Sequence, residues 1–181
     1  MNLLITTADI REIRPIAQAI DDINKVEPFI AEAQQVELKD LLGVEFFYAV
    51  LASPDSYQTL LSGGTYNTSQ GHAIAFNGLK TVLAYFSYAR FLMNDNMKHT
   101  NAGFVNKVNQ FSQPASQSQI TAKYQDARSM AFSHWSDVIL YLDTNRQQYP
   151  LWRSGCTTKT NNIRSTARIS AVNNRDHSCR K

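Results

Sequence analysis

Few residues in this chain have the types that do chemistry, and most of them stand alone. His134 is a candidate general base, with Met130 four positions before it and Asp137 three after. That role needs a pocket and a hydrogen-bonding partner. His134 lies instead on an apolar stripe beside Trp135, which fits a packed or interface histidine better. The doublet Asp21-Asp22 has the makings of a carboxylate pair for a metal. It directly precedes a helical pattern, however, where anions complement the helix dipole and cap the first turn. Cys156, His177 and Cys179 are zinc-ligand types, but a structural zinc wants four ligands, usually as two close pairs. Only His177 and Cys179 are close. Gly63-Gly64 has no following Lys-Ser/Thr and is not a phosphate-binding loop. Gly-x-Ser-x-Gly, His-Glu-x-x-His and Gly-x-Gly-x-x-Gly are all absent. Nothing among these residues supports an enzyme, and no catalytic residue, metal or cofactor is expected.

Aromatic residues invite a second chemistry. Tyr85, Phe86, Tyr88 and Phe91 have the types of a base-stacking platform. Their neighbours on the same helical pattern are Leu, Val and Met, so the core reading is preferred.

The elements that would position these residues are helical. Thr6 and Asp9 form a capping-box pattern for a short first helix, which Pro15 stops. A second helix is expected from about Asn24 to Leu42. Its face is Ile23, Val26, Ile30, Ala33 and Leu41, with Glu37 as the polar exception. Gly43 suits its C-cap. A short third helix follows over Val44–Ala52, and residues 62–73 read as a loop. Leu79, Val82, Leu83, Phe86, Ala89, Arg90 and Met93 mark one side of a helix running to about Asn94. Tyr85, Tyr88, Phe91 and Leu92 cover most of its other side, which marks it as central. Residues 94–116 are polar, and 103–108 read as a short strand or an extended arm. The longest helix is expected over about 118–145, carried by Ile120, Tyr124, Ala127, Ala131, His134, Val138 and Tyr141. The fold class this predicts is all-α: an elongated helical bundle with one long C-terminal helix and an extended basic C-terminal arm.

Charge divides the chain where composition also changes. The net charge is +3, from 18 basic and 15 acidic residues. Positions 1–149 carry −3, whereas Arg153, Lys159, Arg164, Arg168, Arg175, Arg180 and Lys181 against Asp176 give the last 32 residues +6. Two parts are therefore expected, a helical domain over 1–149 and a basic arm over 150–181. In the arm, Ile163, Ala167, Ile169 and Ala171 alternate with Arg164, Thr166, Arg168, Ser170 and Val172. Such a segment barely covers its ordering entropy alone but can order by adding an edge to another chain. No apolar run approaches the roughly 18–20 residues of a membrane span. The N-terminus lacks a signal-peptide pattern, and two cysteines confined to the tail argue for a reducing compartment.

Three stretches together resemble a known family. They are Pro28-Phe29-Ile30-x-x-Ala33 running to Leu41-Leu42-Gly43 and Phe47-Tyr48; Phe76-Asn77-Gly78-Leu79 leading to Leu83-Ala84-Tyr85-Phe86-x-Tyr88-Ala89-Arg90-Phe91; and Tyr149-Pro150-Leu151-Trp152. Their order and spacing are similar to head–tail connector (adaptor, or head-completion) proteins of tailed bacteriophages and prophages, including crAss-like phages. The resemblance covers roughly residues 3–152. It implies a structural virion protein at the head–tail neck, met in the host cytoplasm during assembly. Such subunits form a ring, commonly of twelve copies, beneath the portal. They extend the channel through which double-stranded DNA passes and dock the tail or a further connector. On this reading the Tyr149–Trp152 turn anchors the exit of the arm, and Arg153, Lys159, Arg164, Arg168 and Arg175 meet an acidic neighbour. The alternative is a nucleic-acid-binding module using the basic tail.

Overall fold

The computed structural model describes residues 2–18, 20–68, 70–95, 97–100, 103–106 and 115–153. Most of them are helical. Helix α1 (Thr7–Ile13) starts where Thr6 gives its backbone N–H and its hydroxyl to the Asp9 carboxylate, at 2.6 and 2.8 Å. It ends at Arg14, which is extended, as a residue before proline prefers. Helix α2 (Asp22–Lys25) is a single turn capped by Asp21, which accepts from the Asn24 backbone and side-chain amides at 3.2 and 2.6 Å. Those bonds hold the Asp21 carboxyl below its ordinary range. Asp22 instead grips Arg11 with both oxygens, at 2.9 and 2.6 Å. The Asp21-Asp22 doublet is thus a cap and an ion pair.

The helix expected over 24–42 is divided. Helix α3 (Glu27–Ala33) runs into a π turn (Gln34–Leu38) and then α4 (Lys39–Leu42). A π turn inserts one residue into the helical repeat. It moves the buried face from the expected positions 37 and 41 to Leu38 and Leu42. It also buries Gln34 completely, and the amide earns a use there: Oε1 accepts from the Leu4 N–H and Nε2 donates to the Asn2 carbonyl, each at 2.9 Å. The N-terminal segment is thereby fixed to the core. Gly43 follows at φ 79° and ψ 155°, a conformation open essentially to glycine alone. Helix α5 (Val44–Ala52), a 3-10 turn (Pro54–Tyr57) and α6 (Gln58–Ser62) complete the run of short helices.

The all-α elongated bundle expected from sequence is corrected here. Two antiparallel hairpins interrupt the helices. Strands β1 (Gly64–Asn67) and β2 (Ala73–Phe76) pair with Tyr66 opposite Ile74; β1 lies within the stretch 62–73 read as loop, and β2 begins at its end. The hairpin neck is pinched by Gly63 (φ 81°) and Gly78 (φ 72°), where a Cβ on Gly78 would sit 2.3 Å from the Gly63 nitrogen. Beyond the central helix, β3 (Met97–Thr100) pairs with β4 (Gly103–Asn106). Of the C-terminal arm expected over 150–181, only residues 150–153 lie within the described residues.

Helix α7 (Gly78–Asp95) is the hub and packs against α1, α3, the π turn, α6 and α8 (Gln117–Thr144). Even its Ser87 is fully buried, giving its hydroxyl to the Leu83 carbonyl at 2.7 Å. Helix α8, 28 residues and so about 42 Å long, opens on a Ser116–Gln119 capping box. It lies antiparallel to α7: Asn77 meets His134, while Phe86 meets Phe132 and Arg128.

Candidate functional site

The chain leaves the folded body through an aromatic clasp. After α8 ends at Thr144, two tight turns close through Tyr149 N–H to Arg146 (3.2 Å) and Trp152 N–H to Tyr149 (2.9 Å). They fold Tyr149 and Trp152 back onto the body, where both are buried. The Tyr149 hydroxyl pairs with that of Tyr141 at 2.8 Å, and its ring stacks on Tyr57. Burial, then the bond to Tyr141, pushes the Tyr149 phenol well above its ordinary range. The Trp152 indole N–H donates to Asp143 at 2.9 Å, and its ring stands nearly perpendicular to Trp135 at 5.8 Å. Phe46 of α5 touches both Tyr149 and Trp152. Tyr141 also stacks on Phe76 at 4.2 Å and meets Tyr66 edge-on, so the root of the first hairpin joins the same cluster.

Beside the clasp lies an open groove of roughly 340 Å³. Leu41, Val44, Ile139 and Leu151 form its walls, with Trp135 and Trp152 below and Glu45 and Arg153 at the rim. Val44 is 61% exposed and Leu151 39%, high values for side chains of this type. Phe132 and Leu140 extend the exposed apolar surface along α8. Of the arm residues expected to dock, Tyr149 and Trp152 belong to the clasp and Arg153 is exposed at the groove. Lys159, Arg164, Arg168 and Arg175 lie outside the described residues, as do Cys156, His177 and Cys179.

His134 is half-buried against the Tyr85 ring, with the Asn77 side-chain nitrogen 3.4 Å from its Nδ1. Asn77 also borders a polar cleft of about 260 Å³ with Asp9, Glu12, Lys80 and Thr81. Among the described residues no three His, Cys, Asp or Glu side chains come together to hold a metal ion. Among them, too, no helix is long and apolar enough to cross a membrane.

One charged cluster was not foreseen from sequence. Glu37, in the π turn, takes both ends of the Arg90 guanidinium at 3.0 and 2.9 Å and also meets Arg128 at 3.5 Å. Arg90 reaches Glu32 at 3.0 Å as well. The bond to Glu37 raises the Arg90 pKa further above its already high ordinary value. Arg128 completes the cluster against the faces of Phe86, Tyr124 and Phe132. The available signal was a pair of opposite charges, Glu37 and Arg90, each standing within the apolar stripe of its own helix.

A family model matches residues 38–162, from the end of the π turn past the clasp and groove. The chain belongs to DUF6712, a family of unknown function. The DUF6712 match covers α4 through α8 and stops just before the alternating segment that begins at Ile163. No curated protein and no solved structure matches the chain.

Proposed function

We propose that this chain is a structural subunit of a phage head–tail connector ring, seated beneath the portal and extending the DNA channel. The observation that carries this reading is the apolar groove at the point where the chain leaves the body. Val44 and Leu151 stay exposed there although the clasp beside them buries Phe46, Tyr149 and Trp152. Surface of this kind marks a contact with another protein. The groove and the +6 tail give the subunit two unlike surfaces, one to receive and one to reach. Head-to-tail contacts between unlike surfaces close into rings. The body's −3 charge also suits a channel wall, since strong phosphate binding would hold the DNA that must pass. The partners on this reading are further copies of itself (twelve in a ring of the usual size), the portal, and the tail or next connector.

Co-sedimentation tests the reading. The full-length protein should sediment with the assembled portal protein of the same phage or prophage, and the complex should persist at 0.5 M salt. Recovery in the supernatant at every salt concentration contradicts the proposal. The competing reading, DNA binding through the tail, draws on the +6 charge of the last 32 residues. It predicts the reverse pattern: retention on short duplex DNA at low salt, falling steeply with added salt, with up to about 6 phosphate contacts.

A further inference from the structure

The chain has two tryptophans, and both form the floor of the groove beside the clasp. The described chain ends at Arg153 on the rim, and 28 residues follow it. Their apolar side chains gather over 163–172, where Ile163, Ala167, Ile169 and Ala171 fall at odd positions that would share one side of an extended segment, with Val172 on the other. Arg164 and Arg168 fall on the other side. We propose that the groove receives residues 163–172 of a second copy of this chain, with Ile163 and Ile169 against Val44, Ile139 and Leu151. The inference rests on the ring reading and names the contact that would link neighbouring subunits.

Reach, charge and composition favour that occupant. Nine residues lie between Arg153 and Ile163, so the two are ten residue steps apart, a span of at most roughly 33–36 Å when extended. A domain of this size is about 38 Å across. The spacer can therefore span most of the step to a neighbouring subunit, whereas filling the groove it leaves from would require it to double back. Glu45 stands exposed at the rim, without an ion pair among the described residues, and offers a carboxylate to Arg164 or Arg168. An alternating segment of this composition gains order where an apolar wall offsets its lost freedom, and the groove supplies such a wall. A subunit that gives an arm forward and receives one from behind makes the heterologous contact that closes a ring.

Tryptophan emission reads the groove directly, because no other tryptophan contributes. The test uses full-length protein carrying Ile163→Asp and Ile169→Asp together, which leaves the body unchanged. Its emission should lie to the red of the wild type's under conditions where the wild type self-associates. A synthetic peptide of residues 160–175 should then shift the emission to the blue in a saturable way. The same peptide should have no effect on a variant that also carries Val44→Arg, at a site already exposed. No shift with the peptide overturns the proposal. A wild-type protein that is monomeric by mass yet emits to the blue of the doubly substituted protein also overturns it, because its own arm then fills the groove. If the doubly substituted protein still forms rings on the portal and ignores the peptide, the arm contact is wrong and the connector reading stands.

Discussion

The Tyr149 hydroxyl lies 2.8 Å from that of Tyr141, eight residues back across the turn that ends α8. The pair fixes the direction in which the chain leaves the body. It also makes the fold sensitive to alkali. Tyr149 keeps its proton more tightly folded than unfolded, so its contribution to stability is complete below the unfolded tyrosine pKa of about 10 and is lost as pH rises above it. Tyr149→Phe should cost about 1 kcal/mol at neutral pH, the net worth of one hydrogen bond. It should also flatten the decline in urea midpoint above pH 10. An unchanged alkaline limb would show that another group causes it.

The Glu37 carboxylate has a side chain only 12% exposed, while that of Arg90 is 26% exposed. Removing one partner of a buried pair strands the other, at about 3–5 kcal/mol when burial is complete. Partial exposure of Arg90 reduces this, and Glu37→Ala should cost about 1–3 kcal/mol by urea denaturation. Adding Arg90→Ala should cost less than the sum of the two single changes. Strict additivity would mean that the two are not coupled.

Gly78→Ala should be among the most damaging small changes in the chain. Its Cβ would lie 2.3 Å from the Gly63 nitrogen and 2.5 Å from the Leu61 carbonyl oxygen, at positive φ. A loss of at least about 2 kcal/mol is expected, from backbone strain plus displaced main chain. Gly71→Ala, also at positive φ but with open space around it, should cost about 1 kcal/mol. Equal melting temperatures for the two variants would contradict the pinched neck.

Gln34→Ala should release the N-terminal segment. The Leu4 N–H loses its acceptor at a buried site, which costs about 1–3 kcal/mol. Hydrogen exchange at the Leu4 amide should accelerate far more than exchange in α7. Uniform acceleration would instead indicate global loss of stability.

What the sequence revealed follows from the range of each interaction. The central α7 and the long α8 were legible because their side chains repeat every three or four residues over many turns. Thr6, Pro15, Asp21 and Gly43 announced boundaries of the short N-terminal helices through local rules. The π turn was not legible, since one inserted residue merely moves the buried positions to Leu38 and Leu42. Residues 62–73, which hold β1 and the turn of the first hairpin, looked like a loop because glycine, threonine and asparagine serve turns and short strands alike, and each strand has four residues. Glu37 finds Arg90 and Arg128 at separations of 53 and 91 residues, beyond any local pattern. Tyr149 and Trp152 stood out as a turn at the chain exit. That Trp152 closes a groove with Trp135 and Val44 depends on how α5 and α8 pack, which spacing along one helix does not encode.

The most direct measurement is an electron-microscope image of the portal complex formed with the full-length chain. A ring coaxial with the portal, with an open central hole and density bridging neighbouring subunits, is the predicted result. A portal that remains bare at saturating protein contradicts the connector reading.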